Sequence, residues 1–492
     1  MSRCALSARA TISLVLVGIL VSGGAAAADA TASGALNAEY LLNTSREASA
    51  LDARLDLDVL IGPVTVGVAY RAYQLTDPGY NPAGVEVPEA EIKHRYAELA
   101  HGDLSVRAGH FLSTFGHGLT LRSYEDVDLE HDTHLDGLIT EYILGPVSLT
   151  GLGGTVSERL STVRFRDHTI RALRASVPVG DWVTVAGSAV ERAQEDRLEE
   201  GEVPDEFARF EDSVLGLELE SWAGPFTLAA EYATRDGENP VTEEGEVEGH
   251  AAYAAATLDV GPMTFFGEYK DYVDFGHYTV NPPTCVREHL WTLMNRATYQ
   301  VDLDDEHGFL AEGSALVGDA LYLVGGASEA RTHDEDLAHW EIFGEAEQSF
   351  AGGAVLRAGA SWSREYELGK FTEHRIGALD LDFGLPSGDI AELGVEGQSV
   401  EEPSGRVYED YLASFTFYPG TDVTFSTVLE TTTSDTEAKD VWLMVEIKKL
   451  FPDDVEAGLS FGTERGGKKC SGGVCYFAPE FEGVRLRLTK FF

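Results

Sequence analysis

The chain has 492 residues, with 83 acidic against 36 basic side chains and a formal net charge of -47. That balance argues against nucleic acid as a partner, because binding phosphates draws on Lys and Arg. Hydrophobic residues make up 43%, enough to exclude wholesale disorder, and 52 Gly and 19 Tyr against 4 Met and 4 Cys point to a β protein.

Residues 1–28 read as a secretory signal peptide. Arg3 and Arg9 supply the positive region, Ile12 to Val21 a short apolar run, and Ala25 to Ala28 an A-x-A cleavage site. The competing reading is an N-terminal anchor, for which the apolar run is short. Cys4 precedes that run, so it does not fit a lipoprotein cysteine. No later segment holds ~20 consecutive apolar residues, so membrane residence would require a closed barrel rather than a helix.

From there the hydropathy has period two. Leu51, Ala53, Leu55, Leu57 and Val59 alternate with Asp52, Arg54, Asp56 and Asp58. Val64, Val66, Val68 and Tyr70 alternate with Thr65, Gly67, Ala69 and Arg71, and Leu215, Leu217 and Leu219 with Gly216, Glu218 and Glu220. This pattern is that of strands with one apolar and one polar face. Short turns recur between them: Gly-Pro at 62, 145, 224 and 261, and Gly- or Asp-rich pairs at 102, 180, 318, 352, 388, 420 and 453. Short turns alternating with longer acidic loops predict a single antiparallel transmembrane β-barrel over 29–492 with about 24 strands, in a range of about 18–26. A period near 40 residues also admits a β-propeller, which needs about four strands per period where two are read here. A soluble solenoid, with shorter rungs, is a further competitor.

The chain ends Val484-Arg485-Leu486-Arg487-Leu488-Thr489-Lys490-Phe491-Phe492. An alternating final strand closing on Phe resembles the C-terminal strand of Gram-negative outer-membrane β-barrel proteins, in particular the large porin-like class. The resemblance implies an outer-membrane location in a Gram-negative bacterium and recognition of Phe492 by the barrel-assembly machinery. Lys490 departs from the apolar pattern, and near the rim its ammonium can snorkel to water. A TonB-dependent receptor's plug is not expected, since strand-like sequence begins by Leu36, nor are the extra soluble domains of ushers and lipopolysaccharide-assembly barrels, since no inter-strand stretch is long enough for one.

A barrel's polar face decides what it passes. Candidate lumen residues are Asp52, Asp56, Asp58, Glu218, Glu220, Glu231, Glu341 and Glu345, with Arg71 and Arg107 as counter-charges. They suggest passive diffusion of small hydrophilic, cationic solutes through an acidic lumen. The alternative is a non-conducting barrel serving as anchor or subunit of an envelope complex. Two long loops, near 111–136 and 271–307, carry Phe115, His117, Arg122 and Tyr124, and Pro282, Pro283, Arg287, His289 and Arg296. We expect one or both to fold into the lumen as a constriction; an extracellular cap is the competing reading. Glu125 to His134 invites a metal reading without the spacing of an EF-hand, but a solvated acidic loop accounts for it better, so no metal or other cofactor is assigned. Cys470 and Cys475 are expected to form a disulfide in an oxidising compartment, leaving Cys285 as a buried thiol or an intermolecular link. No nucleophile motif is present, and enzymatic activity is not expected. The partners this reading implies are lipid, lipopolysaccharide and small solutes, with a monomer favoured over a trimer.

Overall fold

The computed structural model describes residues 30–76, 89–127, 131–159, 164–198, 210–238, 246–280, 282–296, 304–367, 369–471 and 474–492. The signal-peptide reading lies outside the described residues. The remainder forms one 24-stranded antiparallel sheet in which each strand pairs with its neighbours in sequence. The first strand, Ala30–Asn43, pairs with Ala48–Ile61 on one side and with the last strand, Phe481–Phe491, on the other. The sheet is therefore a closed barrel. At the seam the final residue continues the ladder: Gly34 donates to the Phe492 carbonyl at 2.9 Å and Phe492 donates back at 3.1 Å.

Strands run from 8 residues (Leu104–Phe111) to 16 (Arg164–Val179), so many exceed the roughly 10 expected from the alternation. Every turn read from the sequence, from Gly62-Pro63 to Asp453-Asp454, joins consecutive strands. Gly62 shows why these residues are used. It sits between the paired Ile61 and Val64 with φ of 59°, which a two-residue hairpin of this type demands at its first position. The opposite end is less uniform than expected. Residues 44–47 and 402–406 are short connections there, whereas 112–134 and 274–305 are long.

The alternation resolves into two faces. Leu173, Leu215, Leu217, Ile342 and Val395 are exposed on the outside, where the closed backbone ladder lets an apolar band face lipid. Trp182, Trp222 and Phe350 are exposed near the turn end, in the position of an interfacial aromatic girdle. Arg71, Glu218, Glu231 and Glu341 are buried on the inside. Among the described residues no helix is long and apolar enough to cross a membrane.

Candidate functional site: the barrel lumen and its two inner loops

The inner wall is laced with ion pairs formed between adjoining strands or across one intervening strand. Arg71 grips Asp52 with two hydrogen bonds, of 2.9 and 2.6 Å. Arg107 bonds Glu98 at 2.8 Å and lies 4.1 Å from the centre of the Tyr96 ring, whose hydroxyl donates to Asp58 at 2.7 Å. Arg174 pairs with Glu218, and Arg357 bridges Glu347 and Asp382. Asp56 lies within electrostatic reach of Glu125 and His94, and Glu220 within reach of Arg174. Expected lumen acids thus share one face, and several are neutralised in place.

The first long loop leaves the strand Leu104–Phe111 and turns back along the inner wall. The amide of His117 donates to Glu231 at 2.6 Å, and Thr120 accepts from the Ser188 hydroxyl at 3.3 Å. Phe115, Leu119 and Leu121 are buried against Ile170, Val190, Val214, Ala233 and Ala251, which share their face with Asp212 and Glu231. An apolar cluster therefore exists inside the barrel, where alternation alone places polar groups. Each such side chain removed from water stabilises the docked loop by roughly 1.5–3 kcal/mol before ordering costs. The Arg122 guanidinium lies 5.5 Å from the centre of the Tyr124 ring, and the Arg122 amide donates to Thr279 of the second loop at 2.8 Å. Burial pushes the Tyr124 hydroxyl up to about 12.

The second loop is held by charge at successive points around the wall. Tyr272 donates to the Pro283 carbonyl at 3.1 Å, beside the buried Pro282. Arg287 bonds Glu345 at 2.9 Å and pairs with Glu312. His289 spans two carboxylates, 3.0 Å from Glu345 and 3.1 Å from Glu341. A short helix, Thr292–Arg296, follows, and its first amides meet Glu396, with Leu293 donating at 2.7 Å. Arg296 pairs with Glu430 at 2.5 and 2.9 Å. Trp291, Leu293 and Met294 are buried on the inward-facing Ile376, Ala378 and Leu412, and the Trp291 indole donates to Asp380.

Trp291 fits because the wall beneath it lacks a side chain. A Cβ built on Gly359 would lie 2.1 Å from the Trp291 ring. Gly359→Val should therefore lift Trp291 while leaving the strand paired. The check is limited proteolysis of the folded barrel, with cleavage between 281 and 300 expected at least tenfold faster than in the parent chain.

Several residues that hold this arrangement escaped the sequence reading. Arg192 and Arg235 share Asp212 at 2.5 and 2.7 Å, and Arg235 also donates to the carbonyl of Asp274 at 3.0 Å, at the root of the second loop. Lys270 pairs with Glu306 and donates to the Thr284 carbonyl. The inner apolar patch left one sequence trace: the run Ala251-Ala252-Tyr253-Ala254-Ala255-Ala256 breaks the polar–apolar alternation. In the 125–134 stretch, the His131 ring lies 4.6 Å from that of Tyr124, whereas His134 meets Asp132 and a histidine the sequence reading did not connect, His94. Cys285 is buried, and burial pushes its thiol up to about 12, the behaviour of an inert thiol. The backbone pairs Cys470 directly with Cys475 across a hairpin, while the proposed disulfide rests on side chains outside those described.

Residues 34–312, which reach into the fourteenth barrel strand and so include the roots of both inner loops, match a family of unknown function, DUF6029. The chain belongs to that family. No curated protein matches the sequence. Among solved structures, this DUF6029 chain is similar to a chain of the E. coli P pilus tip assembly intermediate PapC-PapD-PapK-PapG, at 11% identity and TM-score 0.55, over 94% of this chain and 60% of that one. It is also similar to the P pilus usher PapC translocation pore, at 10% identity and TM-score 0.47, over 93% and 98% of the two chains. A BenF-like porin from Pseudomonas fluorescens aligns at 14% identity and TM-score 0.41, over 72% and 97%. The shared feature is the fold: this DUF6029 chain has the architecture of Gram-negative outer-membrane β-barrels.

Proposed function

We propose that the protein is an outer-membrane channel that passes small hydrophilic solutes, with preference for cations, through a lumen narrowed by the loops 112–134 and 274–305. The observation that carries this reading is the docking of both loops on the inner wall through charged and apolar contacts together. Cation preference follows from the charge ledger. Acidic residues outnumber basic ones 83 to 36, and many of the wall and loop guanidinium groups are already committed to carboxylates. The carboxylates left over give a low-dielectric passage a negative potential that gathers cations.

The test is bilayer recording of the refolded barrel. A stable conductance with a reversal potential of cationic sign in a KCl gradient supports the channel. Silence from a folded, heat-modifiable barrel overturns it and favours the non-conducting envelope subunit, which the apolar packing inside the barrel would also suit.

One anchor of the second loop should be pH-dependent. Burial disfavours charge on His289, but its bonds to Glu341 and Glu345 and their charges outweigh that and push it up to about 8. A pKa raised on docking means the contribution is complete below the ordinary histidine value of about 6.5 and is lost as pH rises through about 8. The shift corresponds to on the order of 2 kcal/mol. Open-channel current noise should therefore rise between pH 6 and pH 9. In His289→Gln the noise should be high at both, and an unchanged pH response in that variant would refute the assignment.

A further inference from the structure

The sequence 90–101 forms a strand whose register slips once. Ala69 pairs with His94, but the next residue, Tyr70, pairs with Ile92, so Lys93 has no partner opposite. A bulge of this kind re-aims side chains. Its effect here is that Lys93 and His94, consecutive residues that would point to opposite faces, both reach the same carboxylate of the first inner loop. His94 Nε2 lies 2.8 Å from one oxygen of Asp132 and Lys93 Nζ 3.3 Å from that same oxygen. The other oxygen receives the His134 amide at 3.0 Å and sits 2.8 Å from His134 Nδ1. The His94 and His134 rings are close neighbours, with centroids 3.7 Å apart and planes tilted by 34°.

The loop half of this cluster is held in place by its own contacts. Glu125-Asp126 pairs with His131-Asp132 in a short ribbon, and Thr133 is tied to Tyr124 by its amide at 3.0 Å and by its hydroxyl, which accepts from the Tyr124 amide at 2.8 Å. One ligating atom each from His94, Asp132 and His134 lies within 4.8 Å of the other two. The three side chains are only partly exposed, at 12, 23 and 15%.

We propose that His94, Asp132 and His134 form a binding site for a divalent first-row transition-metal ion, which would clamp the first inner loop to the barrel wall. Two imidazole nitrogens with one carboxylate suit Zn²⁺, Ni²⁺ or Fe²⁺, and are a poor set for Ca²⁺ or Mg²⁺, which take oxygen. Three protein ligands leave positions for water or a solute. Bond lengths of about 2.0–2.1 Å around Zn²⁺ place neighbouring donors roughly 3.3 Å apart, so the present contacts need to open by about half an ångström. The Lys93 ammonium competes for Asp132, but it also lies 3.0 Å from Glu125, which retains it when the ion enters. His131, turned toward Tyr124 and Tyr278, is outside the site.

The test titrates the untagged, folded barrel in detergent with Zn²⁺, reported by a competing chromophoric chelator, and with Co²⁺ followed by its visible absorption. The expected result is one saturable site with a nitrogen-ligand Co²⁺ spectrum. The His94→Ala/His134→Ala chain should bind at least tenfold more weakly, while His131→Ala binds as the parent does. Heat-modifiability shows that each variant is folded. If the double variant does not fold, His134→Gln alone, on the loop rather than in the wall, makes the same comparison. Absence of saturable binding by the parent, or equal binding by the folded variant, overturns the proposal. The readout does not depend on conductance, so it can fail while the channel reading stands, and the reverse.

Discussion

Deleting residues 281–300 is expected to raise single-channel conductance several-fold and to strengthen cation preference. The strands that flank the loop are already paired, Tyr272 opposite Glu306, so the remaining segment of about a dozen residues closes them at little entropic cost. The deletion removes Trp291, Leu293 and Met294 from the inner wall, and with them the bulk that lies over Ile376 and Leu412. It also removes Arg287, His289 and Arg296. Glu345 and Glu341 then lose the cations they now bind, at 2.9 and 3.1 Å, and Glu430 loses Arg296 at 2.5 Å while keeping Arg465 at 2.9 Å. Area and charge change in the same direction for a cation. Bilayer recording with a salt gradient measures both. An unchanged conductance in a barrel that still shows heat-modifiable migration would mean that the loop does not limit flow.

The second large effect concerns stability. Asp212→Ala should cost about 3–5 kcal/mol, the range found when one partner of a buried pair is removed. Asp212 has no exposed side-chain surface, Arg192 has 1% and Arg235 has 9%, so two guanidinium groups would lose their shared carboxylate without gaining water. The same carboxylate supports the root of the second loop through Arg235 and the Asp274 carbonyl. Burial, with the neighbouring cations Arg192 and Arg235 and with His168, also holds His277 well below the ordinary imidazole range, so that residue does not supply a compensating charge. Asp212→Asn, which keeps an acceptor, should fall between. Glu220→Gln, an exposed position on the same strand, should stay within about 0.5 kcal/mol. Urea midpoints of the folded barrel separate these cases, and a loss below 1 kcal/mol for Asp212→Ala would refute the buried-triad account.

What could be read in advance was what depends on near neighbours in the chain. A residue's face in a strand is set by the parity of its position, and a turn by two or three residues, so Leu215, Leu217 and Glu218 could be sorted without a partner in view. The number of strands followed from the turns, because two strands meet at each. Strand length was less legible, since alternation continues smoothly beyond the part that faces lipid. Strand parity sorts the carboxylates onto one face but does not say which of them a more distant cation neutralises. Asp52 meets Arg71 from an adjoining strand, but Glu345 and Glu430 meet cations from a loop 58 and 134 residues away.

The seam of the barrel, the inner apolar cluster and the His94–Asp132–His134 group belong to the tertiary structure alone. His94 and Asp132 are 38 residues apart, and a slipped register is needed to bring Lys93 and His94 to the same carboxylate. The slip leaves one faint local trace, the change of phase between the outward Ile92 and the outward Ala97 and Leu99, which alternation on either side obscures. Closure between Ala30–Asn43 and Phe481–Phe491 likewise joins the two ends of the chain. Alternation and turn chemistry are paid for locally and so are written locally. Loop docking, ion pairing and ligand clusters arise from contacts between distant segments, and these exist only once the sheet has closed.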